Sequence, residues 1–183
     1  WLIEVGISKA QIGALGAVTT VYALKFLWSP LLDGIAPPVL GKRRGWMLIT
    51  QLGMVMGALA MAFAVPTGQP WLIGASALLL AFSSASHDII KDAYRIEILP
   101  ADLQGAGAAS FVFGYRIGML FTTAGALYLA TYFGWFTTYV TMALILLLFI
   151  MMIPFLAEPE EKNVQENVDK RTLGQWFTQY VAE

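Results

Sequence analysis

Lys25 and Arg116 are the residues best placed to do chemistry, because each sits deep in a stretch otherwise built for hydrocarbon. Counting the helical rise from the segment ends puts Lys25 roughly 20 Å and Arg116 roughly 16 Å in, both near mid-bilayer. A charge at that depth is expensive and must face a bundle interior, a partner or water. Arg offers a planar fork for a carboxylate or phosphate, and Lys a point charge. Together with Tyr22 and Tyr115 beside them, they form a candidate set for binding an anion. Two other readings stay open: ion pairs with acids on neighbouring helices, and, for Lys25, snorkelling toward the membrane surface.

A second set ends the third apolar segment, in Ser83-Ser84-Ala85-Ser86-His87-Asp88 and onward to Glu97. Asp88 lies just inside the hydrocarbon boundary, where desolvation favours the neutral carboxyl. That suits a group that takes up and releases a proton, and His87 beside it titrates in the physiological range when unperturbed. The alternative for His87 is a polar group satisfied by Ser84 or a backbone carbonyl. A third set is ionic. Asp33 precedes the cationic run Lys42-Arg43-Arg44, while Asp92, Arg95 and Glu97 close the third segment. Opposite charges on facing helix ends read as a latch, or gate, at one side of a membrane.

The segments that carry these residues are long and apolar. The chain has 183 residues, 58% hydrophobic and 13% charged, with mean hydropathy +0.67. A soluble domain is typically about 25% charged, so the fold class is an all-α integral membrane protein. Five stretches reach the roughly 20 residues a spanning helix needs: about 12–32, 45–65, 71–90, 105–131 and 135–157. None alternates as a barrel strand does. Cysteine is absent and there is one histidine, so neither a disulfide framework, a metal site nor a cofactor is expected. No hydrolase, zinc-protease or phosphate-loop motif occurs, and nothing points to nucleic acid. Gly53/Gly57 and Gly114/Gly118 both fit G-x-x-x-G and read as close helix packing.

The cations set the orientation. Lys42, Arg43, Arg44, Lys91, Arg95, Lys162, Lys170 and Arg171 fall on one face, and Lys9 alone on the other. The richer face is expected to be cytoplasmic, with loops 33–45 and 91–104 and the C-terminal tail inside. The chain then starts outside with no signal peptide visible, which implies an odd number of helices upstream and reads as a fragment. Residues 158–172 read as a polar linker. Residues 173–183 carry Leu173, Trp176, Phe177, Tyr180 and Val181 at helical spacing, an amphipathic helix on the membrane leading to a second half. Six helices followed by a charged linker match the layout of one half of a two-half transporter.

Several blocks carry a specific resemblance. They are Lys25-Phe26-Leu27-Trp28-Ser29-Pro30-Leu31-Leu32-Asp33, Pro37-Pro38, Gly41-Lys42-Arg43-Arg44-Gly45-Trp46, Thr50-Gln51, Asp92-Ala93-Tyr94, Leu99-Pro100 and Gly114-Tyr115-Arg116-Ile117-Gly118. In these the chain resembles the AmpG family of bacterial muropeptide permeases, within the major facilitator superfamily. The resemblance implies that residues 1–157 run from the end of helix 1 through helix 6, the N-terminal six-helix half. It implies a secondary transporter in the bacterial inner membrane, importing anhydromuropeptides with protons for peptidoglycan recycling. The implied partners are an anionic sugar-peptide, protons, the bilayer and a second six-helix half. Asp33 with Gly41-Lys42-Arg43-Arg44 resembles the superfamily's cytoplasmic gating loop. The chain departs from the family at Gly34, His87, Lys91 and Gln104. A carrier of another bulky anion, such as an acetyl-CoA-type substrate, is the alternative; a membrane enzyme using His87 and Asp88, or a non-transporting receptor, are further ones.

Overall fold

A computed structural model describes residues 16–159. Lys9, residues 12–15 of the first segment, most of the linker and the 173–183 helix lie outside the described residues. Within them the chain is helical and no strand occurs. The elements are α1 (Thr20–Leu24), α2 (Ser29–Gly34), α3 (Lys42–Thr67), α4 (Pro70–Ile98) and α5 (Gln104–Ile150), with short 3₁₀ turns at Ala17–Thr19, Lys25–Leu27, Ala101–Leu103 and Ile153–Phe155. α3, α4 and the region 101–155 are long and apolar enough to cross a membrane. The protein is a multi-pass membrane protein.

Breaks fall where local chemistry demands them. Gly134 has φ 80° and ψ 165°, so α5 is two helices, α5a before it and α5b after. Gly68 at φ 65° closes α3, its N–H bonding to Val65 O, and Pro70 opens α4 where an amide would go unused anyway. α4 ends at Ile98, and Leu99 after it is held extended by Pro100. Gln104 then turns its side-chain amide back onto the carbonyls of Ile96 (2.9 Å) and Leu99 (2.8 Å), satisfying acceptors that every helix end leaves open.

Two boundaries differ from the hydropathy reading. The stretch from residue 16 to 34 is a chain of short turns rather than an unbroken helix. Pro30 lacks an N–H for the Phe26 carbonyl, and Ser29 Oγ donates to it instead, at 3.2 Å. In turn, α4 continues past residue 90 to Ile98, so Lys91, Asp92, Arg95 and Glu97 are on a helix and not in a loop.

α3 is the centre of the bundle. Met47, Gln51, Met54, Ala58, Met61 and Val65 recur every three or four residues and are all buried, the stripe of a core-facing helix. α4 and α5b both pack antiparallel to it. One end joins Met61, Ala64, Val65 and Ile73. The middle joins Val55, Ala58 and Ala143. The other end joins Leu32, Met47, Ile90 and Ile153. Gly57 makes the α3–α4 contact close: a Cβ there would lie 2.9 Å from the backbone of Leu80. Gly53 likewise faces Ser83, whereas Gly114 and Gly118 meet nothing within 4 Å among the described residues. So the first G-x-x-x-G packs helices here and the second does not. α1 and α2 lie along α4, through Tyr22 Oη donating to Ser84 Oγ (2.7 Å) and Trp28 Nε1 donating to Ser86 Oγ (3.0 Å).

Candidate functional site

α3 starts with three cations at the helix end whose free N–H groups already carry partial positive charge. Gly41, with φ 87°, sets the chain into that start and supplies no side chain to cap it. Such an end needs anions, and the structure gathers three acids there. Arg43 is 6% exposed. Its Nη1 donates to Asp33 Oδ1 at 2.7 Å, its Nε to Glu97 Oε2 at 2.7 Å, and its Nη2 to Glu97 Oε1. The guanidinium fork thus grips Glu97 with two bonds and reaches Asp33 with the third arm. Glu158 supplies the missing cap, accepting from the backbone N–H of Arg43 (2.7 Å) and Arg44 (3.1 Å).

The same end is tied by neutral bonds. Arg44 Nη2 donates to Pro154 O (2.9 Å), Trp46 Nε1 to Ile35 O (2.7 Å), and Tyr94 Oη to Ala157 O (3.0 Å). The loop before α3, the end of α4 and the chain after α5b are therefore locked together. Of the residues expected to latch, Arg43 pairs with Asp33 and Glu97. Arg44 takes a carbonyl instead of an acid. Asp92 pairs within its own helix, with Arg95 at 3.9 Å, and Lys42 has no acid among the described residues. Sequence reading missed Glu158. The signal was a three-cation helix start with no local capping residue, but the partner lies 115 positions away.

Asp88 is half-exposed and pairs with Lys91 one turn on, Oδ1 to Nζ 2.9 Å. His87 Nδ1 lies 2.9 Å from Thr50 Oγ1 on α3, so its partner is neither Ser84 nor a carbonyl. Which of the two carries the shared proton depends on the tautomer. Thr50 Oγ1 also reaches Trp46 O (2.8 Å) and Met47 O (3.2 Å).

Lys25 is half-buried in the 3₁₀ turn Lys25–Leu27, and Arg116 and Tyr115 are exposed on α5a. Among the described residues neither cation forms an ion pair; the acids within reach of basic groups are all taken by Arg43, Lys91 and Arg95. No residue of α5a is buried, so its Arg116 face is available. Tyr22 is held to Ser84. The four candidate anion-binding residues thus lie on two elements, α5a and the α1 region, that the described contacts do not join.

The sequence of this chain has clear relatives. The sequence model of the Major Facilitator Superfamily matches residues 2–180. The chain belongs to the Major Facilitator Superfamily. It is 42% identical over 162 residues to the anhydromuropeptide permease of Escherichia coli K12, covering 88% of this chain and 33% of that protein. It is 39% identical over 166 residues to an uncharacterized protein of Haemophilus influenzae, covering 91% and 39%. It is 35% identical over 184 residues to a putative transporter, AmpG 4, of Rickettsia conorii, covering 97% and 44%. The chain thus spans between a third and under a half of the length of these curated relatives.

Proposed function

We propose that this superfamily chain forms the N-terminal half of a proton-coupled importer of anhydromuropeptides in the bacterial inner membrane, a carrier and not an enzyme. The observation that carries the reading is two basic residues, Arg116 inside the long apolar region 101–155 and Lys25 in the turn before α2, each without an acid partner among the described residues. Muropeptides present several carboxylates, and a fork plus a point charge in a low-dielectric site suits them. The 42% identity to a protein named for that substrate supports the same choice. The end bearing Asp33, Arg43, Glu97 and Glu158 is the cytoplasmic one, by the excess of cations there. Asp88 and His87 carry the coupled proton, and the Arg43 network is the cytoplasmic gate.

Arg116 gives the test. In the full-length protein, Arg116→Lys keeps the charge and loses the fork, so affinity for an anhydromuropeptide is expected to fall about tenfold. Arg116→Ala is expected to weaken it further, by roughly a hundredfold. Lys25→Ala acts in the same direction with a smaller effect. An analogue with amidated carboxylates is the control. Titration calorimetry that finds equal losses for the acid and the amide would make Arg116 a structural residue and remove it from the site.

A further inference from the structure

A cleft of about 820 Å³ opens between α3, α4, the start of α5a and the end of α5b. It lies beside the Arg43 network and shares no residue with it. Its walls are apolar: Met47, Met54, Leu146, Phe149, Met152 and Ile153 line it. Four neutral polar side chains also face it, and each already makes one hydrogen bond within the protein. Gln51 Nε2 donates to Leu146 O, Ser84 Oγ accepts from Tyr22, His87 meets Thr50, and Tyr94 donates to Ala157 O. A sugar or peptide brings many donors and acceptors, and burial without partners would cost each of them. These walls leave little to satisfy them.

The charged capacity of the cleft is cationic. Lys91 and Arg95 line the cleft, and their acids Asp88 and Asp92 do not. Arg95 Nε is buried without a hydrogen-bond partner, and its long 3.9 Å contact with Asp92 leaves the guanidinium able to take another anion. The ring of Phe111 lies under both cations, 5.5 Å from Lys91 Nζ and 5.8 Å from Arg95 Cζ, which holds them side by side. Arg95 and Lys91 are roughly 5 and 10 Å along α4 from its end at Ile98, while Met54 is roughly 18 Å along α3 from Lys42. The cations thus lie at one end of the cleft, with Met47 and Ile153 beside them at that level and Met54 farther in.

We propose that this cleft binds an anionic phospholipid of the cytoplasmic leaflet, its phosphate between Lys91 and Arg95 and its acyl chains along the methionine-lined wall. The leaflet rests on the orientation proposed above; the site does not. Basic pockets between spanning helices at the cytoplasmic side select anionic head groups in this way.

The test is native mass spectrometry of the full-length protein in detergent, with phosphatidylglycerol and phosphatidylcholine of equal chain length as probes. Phosphatidylglycerol is expected to be retained in preference to phosphatidylcholine by roughly fivefold per cation, so about thirtyfold for two. Lys91→Gln with Arg95→Gln is expected to abolish the preference, and Lys91→Arg with Arg95→Lys to keep it. The charge-keeping pair guards against a variant that merely misfolds. Equal retention of both lipids by the unaltered protein, or a preference that survives the double glutamine variant, overturns the site. Displacement of phosphatidylglycerol by millimolar inorganic phosphate also overturns it, since it marks a plain phosphate site. These 183 residues hold no cysteine; in full-length protein with every other cysteine replaced, a single cysteine at Ala36 reads the leaflet separately. Labelling by an impermeant reagent only after permeabilisation supports the cytoplasmic leaflet, and labelling in intact cells overturns it while the lipid preference stands.

Discussion

Removing the two acids around Arg43, by Asp33→Asn with Glu97→Gln, is expected to destabilise the full-length protein by about 3 kcal/mol, the low end of the range for a buried charge left without its partner. Arg43 is 6% exposed, so water cannot readily replace the lost anions, although the new amide oxygens still accept neutral bonds. Taking away the arginine is the milder change. The Asp33 and Glu97 side chains are 50% and 38% exposed, so both rehydrate, and Arg43→Met keeps the packed stem. That variant is expected to cost about 1 kcal/mol. Thermal unfolding of the purified variants ranks them. An Arg43→Met variant less stable than the double acid variant would reverse the electrostatic account. Either change also frees the end where the loop before α3, α4 and Glu158 meet. Cysteine accessibility on that side should therefore rise and uptake should fall.

Asp88→Asn is expected to abolish gradient-driven accumulation while substrate binding and exchange persist. The carboxylate holds Lys91 at 2.9 Å. A proton arriving on Asp88 removes that attraction and releases Lys91, which gives protonation a structural consequence on α4. An asparagine cannot alternate between those two states. Accumulation in proteoliposomes should drop from concentrative to the equilibrium level, a loss of at least tenfold for a 1.4 kcal/mol proton gradient per tenfold step. Full uphill uptake in the Asn variant would move the coupling group elsewhere. His87→Gln is the companion. It keeps a polar contact for Thr50 and removes the titration, so a modest effect places the proton on Asp88.

The long helices α3, α4 and α5 were legible because lipid imposes long apolar runs, and the turns at Gly68-Gln69-Pro70 and Gly134 were marked by residues that end helices. The hidden parts have specific causes. Asp92, Arg95 and Glu97 were legible as a charged helix end, but the apolar span was cut at residue 90; the helix runs on to Ile98 because its backbone bonds are indifferent to side-chain polarity until Pro100 stops it. The break near Lys25 was written in Ser29-Pro30, but unbroken hydropathy hid it. The Arg43 latch was visible as opposite charges on neighbouring ends; the choice of Glu97 over Asp92 was not, because it depends on helical phase. Glu158 and the Thr50–His87 contact join residues far apart in sequence, and only tertiary packing brings them together.

The most direct measurement is uptake of a labelled anhydromuropeptide into proteoliposomes holding the full-length protein, with an imposed proton gradient as the sole energy source. The expected result is accumulation above the external concentration. It should collapse on addition of a protonophore, and Arg116→Ala should abolish it at low substrate concentration. Acetyl-CoA should neither accumulate nor compete. Accumulation of acetyl-CoA instead, or muropeptide entry that ignores the gradient, would contradict a proton-coupled muropeptide importer.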